Sequence, residues 1–449
     1  MVLAAGRGVR LQSSVPKALQ QVAGWPLVRH AYTTAREAGC SPIVVVGPRG
    51  VDLSVALDAD AQVVEQPEGW YGTAFATAAA EDRVGVRAPT VVVVFGDSPL
   101  LRPETIRALA ERRAATAAAI AVAWAQVDSA GSFGRVVRNA AGDIEAIVEA
   151  ADATPAERAL STINTGLMAF DARWLWANLH AVPASPVSAE RYLPALVPIA
   201  RAQGRRVVGC EVADAAETIG CDDAAKLAAA EAVWQGRLRA QVLAQGVQLR
   251  DPATTYLHRG VAMAPDTVIM PNTSLEGATT VGRGSRLGPG TRLIDAQLGE
   301  RCVVEASRIE GSRLGAGVTV GPYAHIRAAC AIGDGCEIGS HAELKATILG
   351  AGVRVHHFSY LGDTEVGEGA NIGAGTVTCN FDGIAKHRTV IGKRAFVGSD
   401  TLLVAPVSLG DGAATGAGSV VTHDVAAGAL VYGAPARVRR RRADQQGGA

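Results

Sequence analysis

From Leu314 onward the aliphatic residues keep a fixed step: Val320, Ile326, Ile332, Ile338 and Leu344 each follow the last by six positions. The phase slips by one to Leu349, then resumes at Val355 and Leu361. It slips again to Val366, passes Ile372, and after an interruption returns at Ile391, Val397, Leu403 and Leu409. Glycine commonly follows the aliphatic residue, as at Gly315, Gly333, Gly339, Gly373 and Gly398. A period of six fits neither an amphipathic helix nor a simple hairpin. It predicts a parallel β-helix, in which short strands stack coil on coil and each buries one aliphatic side chain per face. The solenoid is expected over residues 247–437, with a less regular opening near Val281-Gly282 and Leu287-Gly288. Cys379–Arg388 breaks the count and predicts a loop leaving the coil, the kind of segment on which function concentrates.

The N-terminal half follows a different pattern. Apolar runs at Ile43–Val46 and Val91–Phe95, each with an Ala-rich helical stretch nearby, read as buried parallel strands. Residues 1–222 are therefore expected to form a doubly wound α/β domain. Residues 223–246, rich in Ala, Leu and Gln and free of Pro, predict a linking helix. The cluster Arg437, Arg439, Arg440, Arg441 and Arg442 leads into a Gly-rich end, so 438–449 are expected to be a basic, disordered tail. That cluster reads either as a solvated terminus or as a contact for an anionic cofactor.

Composition narrows the class. A chain of 449 residues is too long for one ordinary core, so two domains are expected. With 48% hydrophobic but only 4% aromatic residues, the cores must be built from Ala, Val, Leu and Ile. Zero net charge argues against a general nucleic-acid binder. Seven scattered Cys without metal spacing point to a reducing cytoplasm rather than a disulfide framework. No run of 18 apolar residues is present, so no membrane partner or export is expected.

Three places carry candidate chemistry. Leu3-Ala4-Ala5-Gly6-Arg7-Gly8-Val9-Arg10, with Lys17 beyond, is a strand entering a Gly-rich turn whose amides and cations suit phosphate. Asp97 follows Phe95 and Gly96 just past a buried strand, where α/β sheets bind ligands. It suits Mg²⁺ bridging nucleotide phosphates, or the capping of the next helix. In the solenoid, Arg327 and Lys345 each follow an inward aliphatic residue and are 18 positions apart, one full coil. They should stack about 5 Å apart. Two bare cations at that distance repel by roughly 3 kcal/mol at an effective dielectric near 20, and a sugar phosphate between them would relieve it. In Val355-His356-His357-Phe358-Ser359-Tyr360, a neutral imidazole is suited to deprotonate an amine attacking a thioester. The plainer reading is two surface histidines on a coil.

Leu-Ala-Ala-Gly-x-Gly-x-x-Arg, Pro16-Lys17, Gly72-Thr73 and Gly96-Asp97-Ser98-Pro99-Leu100, in this order, resemble the sugar-phosphate nucleotidyltransferases. Joined to a hexapeptide solenoid, they resemble the bacterial bifunctional N-acetylglucosamine-1-phosphate uridyltransferase/glucosamine-1-phosphate acetyltransferases over nearly the whole chain. The resemblance implies that the coils wind left-handed. It further implies that Leu3, Ala4, Ala5, Gly6, Arg10, Lys17, Phe95 and Gly96 contact the nucleotide, and that Gln66, Gly72 and Thr73 read the uracil. Asp97 and Asp222 would hold Mg²⁺, and Gly134, Glu149 and Asn164 would bind the sugar. In the solenoid it implies His357 as general base, and Arg327, Lys345, Tyr360 and Asn371 as sugar-phosphate ligands. Ala374, Asn380, Phe381, Ser399, Ala417 and Arg437 would meet acetyl-CoA.

Such an enzyme would acetylate glucosamine-1-phosphate and then join N-acetylglucosamine-1-phosphate to UMP from UTP, as a cytoplasmic homotrimer. Departures from the family pattern are specific. Only Met1 and Val2 precede Leu3, where a fuller strand is usual. Trp70 and Tyr71 enter beside the base pocket, Ala74-Phe75 replaces a common Gly-His, Ala151 a common Lys, and Asp222 a usual Asn. The alternative is therefore a nucleotidyltransferase of other base or sugar specificity, with the β-helix as a trimerising scaffold.

Overall fold

The computed structural model describes the chain except residues 7, 87, 132, 140–142, 151, 186–188 and 442–449. Arg7 of the opening turn, Ala151 and Arg442 thus lie outside the described residues. The chain divides into two compact units, Met1–Trp234 and Gln235–Ala449. The helix expected between them spans Ala224–Ala244. Among the described residues, no helix is long and apolar enough to cross a membrane.

In the first unit the main sheet runs in the order Val207–Glu211, Ile120–Gln126, Thr162–Asp171, Thr90–Phe95, Val2–Leu3, Val44–Gly47 and Gln62–Glu65. The expected strands are present and parallel: Leu3 pairs with both Val46 and Phe95. The apolar run of Thr90–Phe95 is explained by burial on both sides. Val91 and Val93 enter one core, Val92 and Val94 the other. The sheet is mixed rather than wholly parallel, because the long strand Thr162–Asp171 runs antiparallel to both its neighbours. Leu3 and Phe95 therefore end side by side. A Cβ on Gly96 would stand 2.8 Å from that of Ala4, so glycine permits this convergence.

The second unit is a left-handed parallel β-helix whose three faces, among the described residues, are sheets of twelve, ten and nine strands. Val320, Ile338, Val355, Ile372 and Val397 stack inward on the first face. Ile326, Leu344 and Leu361 do so on the second, and Ile332, Leu349, Val366, Ile391 and Leu409 on the third. None of these is more than 4% exposed, so the six-residue step is the core itself. Where the step shortens to five, one left-handed residue closes the corner: Ala346 (φ 47°) before Leu349 and Asp363 (φ 51°) before Val366.

Two expectations about the ends change. The opening coils are regular, since Leu257, Met263, Ile269, Leu275, Val281, Leu287 and Leu293 keep the step of six and are buried. Fewer glycines follow these residues, which hid the pattern. At the other end, Ala436–Arg441 forms a strand antiparallel to Ala429–Gly433, so the sheet extends past residue 437.

Apart from Gly362, glycine after the inward residue belongs to the first and third faces. A Cβ on Gly333, Gly350, Gly373 or Gly398 would come within 2.6–2.7 Å of the backbone of the next coil. On the second face the same position carries side chains, including Glu310, Arg327 and Lys345.

Candidate active sites

The converging strand ends of the first unit open into a cleft of about 890 Å³. Leu3, Ala4, Ala5, Gly6, Arg10, Lys17, Gln66, Gly72, Thr73, Phe95, Gly96, Asp97 and Asp222 all line it. Lys17 Nζ donates to Asp97 Oδ2. Arg10 Nη2 donates to Asp222 Oδ2 at 2.6 Å. Lys226 Nζ lies 2.7 Å from the other oxygen of Asp222, off the line of a hydrogen bond, so buried Oδ1 has an ionic partner but no hydrogen bond. Burial pushes the Asp222 carboxyl up, yet Lys226, Arg10 and Lys17 together hold it below the usual carboxylate range. The turn carrying Asp222 folds against Asp97, with Cys221 N donating to Asp97 O at 2.9 Å. Asp97 caps no helix: the next one, Pro103–Ala115, begins at Arg102 without a side-chain cap.

These residues fit a small divalent cation. Two hard carboxylates, one with an oxygen lacking a hydrogen bond, are the donor set Mg²⁺ uses when phosphates and water complete its shell. Among the described residues no group of three His, Cys, Asp or Glu side chains forms a self-sufficient metal cage. Burial first and Asp97 next push the Cys221 thiol up to about 12.

Gly134, Glu149 and Asn164 are brought together, but are not among the residues lining that cleft. Asn164 N donates to Gly134 O at 2.8 Å, and a Cβ on Gly134 would stand 3.5 Å from both Glu149 carboxylate oxygens. Burial, then Asp152, raises the Glu149 carboxyl. A Cβ on Gly166, in the same strand as Asn164, would run into the Phe95 ring, and Phe95 does line the cleft.

In the solenoid, four expected residues form one column. Val355, Ile372 and Val397 are in register on the first face, and two residues beyond each stand His357, Ala374 and Ser399. Hydrogen bonds link the successive turns: Gly375 N to His357 O at 3.1 Å, Asp400 N to Ala374 O at 2.7 Å, and Gly418 N to Ser399 O at 2.8 Å. A Cβ on Gly398 would stand 2.8 Å from Ala417 N, which places Ala417 next in the column. Above it, Arg437 pairs with Tyr432, whose Cβ lies over Gly416. The column runs along the corner between the first and second faces, with His357 at its foot.

Arg327, Lys345, Tyr360, Asn380 and Phe381 gather at the far corner, between the second and third faces, whereas Asn371 precedes inward Ile372 on the first face and does not join them. Arg327 lies one coil below Lys345, as the 18-residue spacing requires. The pair is not bare, however. Arg327 Nη1 donates to Glu343 Oε1 at 3.0 Å, and Asp363 also acts on Lys345. The Tyr360 hydroxyl and the Asn380 amide converge over Gly362, whose Cβ would stand 2.5 and 2.6 Å from them. Asn380 Nδ2 donates to Asp363 Oδ2 at 2.5 Å, and Phe381 is 58% exposed. Asn380 and Phe381 are thus apart from Ala374, Ser399 and Ala417 within one chain. His356 follows the first-face Val355, not a second-face residue, and its Nε2 is 3.0 Å from Asn371 Oδ1. It shares the phase of Arg327 and Lys345 but not their face, so it is no phosphate-edge residue beside them.

One residue at this corner was not legible from the six-residue phase. Lys386, on the loop after Cys379, lies against Lys345, and its ammonium is the main cause of a lowered Lys345 pKa. Once the count breaks at Cys379, phase no longer says where a side chain falls. The only available signal was a lysine on the loop that interrupts the coil.

A nucleotide-sized α/β cleft with paired carboxylates, on one chain with a hexapeptide solenoid bearing a candidate base, defines a two-site transferase. Residues 1–208 match the family model of the MobA-like NTP transferase domain. Residues 311–346 match the bacterial transferase hexapeptide (six repeats), and 388–423 the hexapeptide repeat of succinyl-transferase. The chain is 41% identical to the bifunctional protein GlmU of Heliobacterium modesticaldum, covering 96% of this chain and 94% of that one. The GlmU proteins of Pelobacter propionicus and Streptomyces avermitilis are 37% and 39% identical, covering 98% and 96% of this chain and 96% and 90% of theirs. The chain belongs to the family of bifunctional GlmU proteins. It is a bifunctional transferase: one domain transfers acetyl from acetyl-CoA to glucosamine-1-phosphate, the other uridylyl from UTP to N-acetylglucosamine-1-phosphate.

Proposed function

We propose that the two reactions are carried by the residues of the cleft and of the solenoid corners, in a cytoplasmic homotrimer that uses Mg²⁺. In the first unit, Asp97 and Asp222 would hold the ion, which when bound neutralises phosphate charge and polarises the reacting phosphoryl group. Arg10 and Lys17, released from their carboxylates, turn to the phosphates. The sugar-phosphate oxygen attacks the α-phosphorus of UTP, and pyrophosphate leaves. Gln66, Gly72 and Thr73 hold the base, while Gly134, Glu149 and Asn164 hold the sugar.

In the solenoid, His357 takes a proton from the glucosamine amine as its nitrogen attacks the thioester carbonyl. The amide forms and coenzyme A leaves as the thiol. Acetyl-CoA runs along Ala374, Ser399 and Ala417 toward Arg437. The observation that supports this reading is the register of His357 with the column of small residues Ala374, Ser399 and Ala417.

Arg327, Lys345, Tyr360, Asn380 and Phe381 stand at the opposite corner of the same chain. A second copy supplies them to the base, and cyclic closure of triangular solenoids provides that copy. Release of coenzyme A thiol from acetyl-CoA, dependent on glucosamine-1-phosphate, tests the reading. Wild-type release that His357→Ala leaves intact would refute it.

A further inference from the structure

The segment Gln66–Phe75 carries Trp70 and Phe75 beside the nucleotide cleft, and its geometry has a use. The Trp70 ring lies against Phe75, centroids 4.8 Å apart and planes at 31°. The guanidinium of Arg191 lies 5.1 Å from the centre of the Phe75 ring. The stack is fastened by backbone: Arg191 N donates to Tyr71 O at 3.1 Å, and Ala74 N to Arg191 O at 2.9 Å. Gly72, with φ 100°, lets these segments close, because any Cβ there would run into the Arg191 backbone. Trp70 is thereby pinned by Phe75 while it also lines the nucleotide cleft. A pinned indole loses little freedom when a second flat ring stacks on it.

Gln66 is tied to the same residue, since its Nε2 donates to the Trp70 carbonyl. That bond fixes which end of the amide is nitrogen. One N–H and the Oε1 acceptor remain, a pair that matches the O4 acceptor and N3–H donor of uracil. Cytosine presents the reverse pattern at those positions.

From this arrangement we infer that Trp70 is the stacking platform for the nucleobase, and that it positions the Gln66 amide to read the edge of the same ring. The inference rests on nucleotidyl transfer at this cleft. Stacking tolerates any base, so affinity and selectivity separate: the indole supplies affinity, the amide selectivity. Trp70→Ala should weaken UTP and CTP alike, by roughly 5- to 150-fold, the span of one base–aromatic stack.

The test uses the full chain, intrinsic fluorescence and titration calorimetry. UTP should quench wild-type fluorescence. Because the chain holds six Trp, the quench must be assigned with Trp70→Phe, which should lose it while calorimetry still detects UTP. A quench that survives in Trp70→Phe, or UTP affinity unchanged in Trp70→Ala, overturns the platform. Wild-type chain that shows no UTP binding by calorimetry overturns the nucleotidyl-transfer reading instead.

Discussion

Lys386 sets its ammonium against that of Lys345, at the corner where the solenoid loop leaves the coil. Two adjacent cations disfavour the charged form, and Lys386 accordingly holds Lys345 below the ordinary lysine range. Charge on Lys345 is what attracts a sugar phosphate. The KM for glucosamine-1-phosphate should therefore climb as pH rises through this lowered pKa, earlier than for an isolated lysine. Lys386→Met should shift the climb to higher pH, and a pH series of KM for the two chains checks it. For stability the sign is opposite. The charged pair costs the folded state at low pH, and that cost is lifted as pH rises through the lowered Lys345 pKa.

Asp97→Ala should abolish UDP-sugar formation and spare acetylation, because the carboxylate lies in the first unit and the base in the second. Asp222→Asn should be mild, since an amide oxygen remains a hard ligand. Initial rates across a Mg²⁺ titration, with chelator as the zero point, measure both. Wild-type uridylyl transfer by Asp97→Ala would show the metal assignment to be wrong.

His357→Ala should lower acetyl transfer by about 10² to 10⁴, the usual span for a lost general base. His356→Ala should cost far less, because His356 faces Asn371 and not the acetyl column. Separate kcat and KM values for the two variants decide the register. A crippled His356→Ala beside a healthy His357→Ala would move the base by one residue.

Much of this was readable in the sequence. The step of six located nearly every inward residue of the second face from Ile326 to Leu403, and one coil of 18 placed Arg327 under Lys345. Periodicity says which residues share a coil position, but not which face that position closes. His356, like Arg327 and Lys345, directly follows an inward aliphatic residue, yet it lies on the first face and they lie on the second. Nor does periodicity say what neutralises a charge. Glu343 is two residues before Lys345 in the same strand, on the same side by alternation, and so reaches Arg327. In the first unit, Leu3 and Phe95 converge because of strand order, which no local pattern encodes. Asp222 meets Arg10 across 212 positions of chain, and only the resemblance drew those two to one site.

The solenoids should assemble as a trimer in which each acetyl site takes His357 from one copy and Lys345 from another. Light scattering should give three times the chain mass of 46.1 kDa. Mixing and reassembling His357→Ala with Lys345→Ala chains should restore acetyl transfer that neither has alone. A monomer with acetyl transfer intact would contradict the shared site.

The most direct measurement follows the products of the purified chain supplied with glucosamine-1-phosphate, acetyl-CoA, UTP and Mg²⁺, by mass spectrometry. The account predicts UDP-N-acetylglucosamine, with free coenzyme A and pyrophosphate accumulating beside it. N-acetylglucosamine-1-phosphate without any nucleotide sugar, or a nucleotide sugar without the acetyl group, would contradict the claim that both sites of this chain act in sequence.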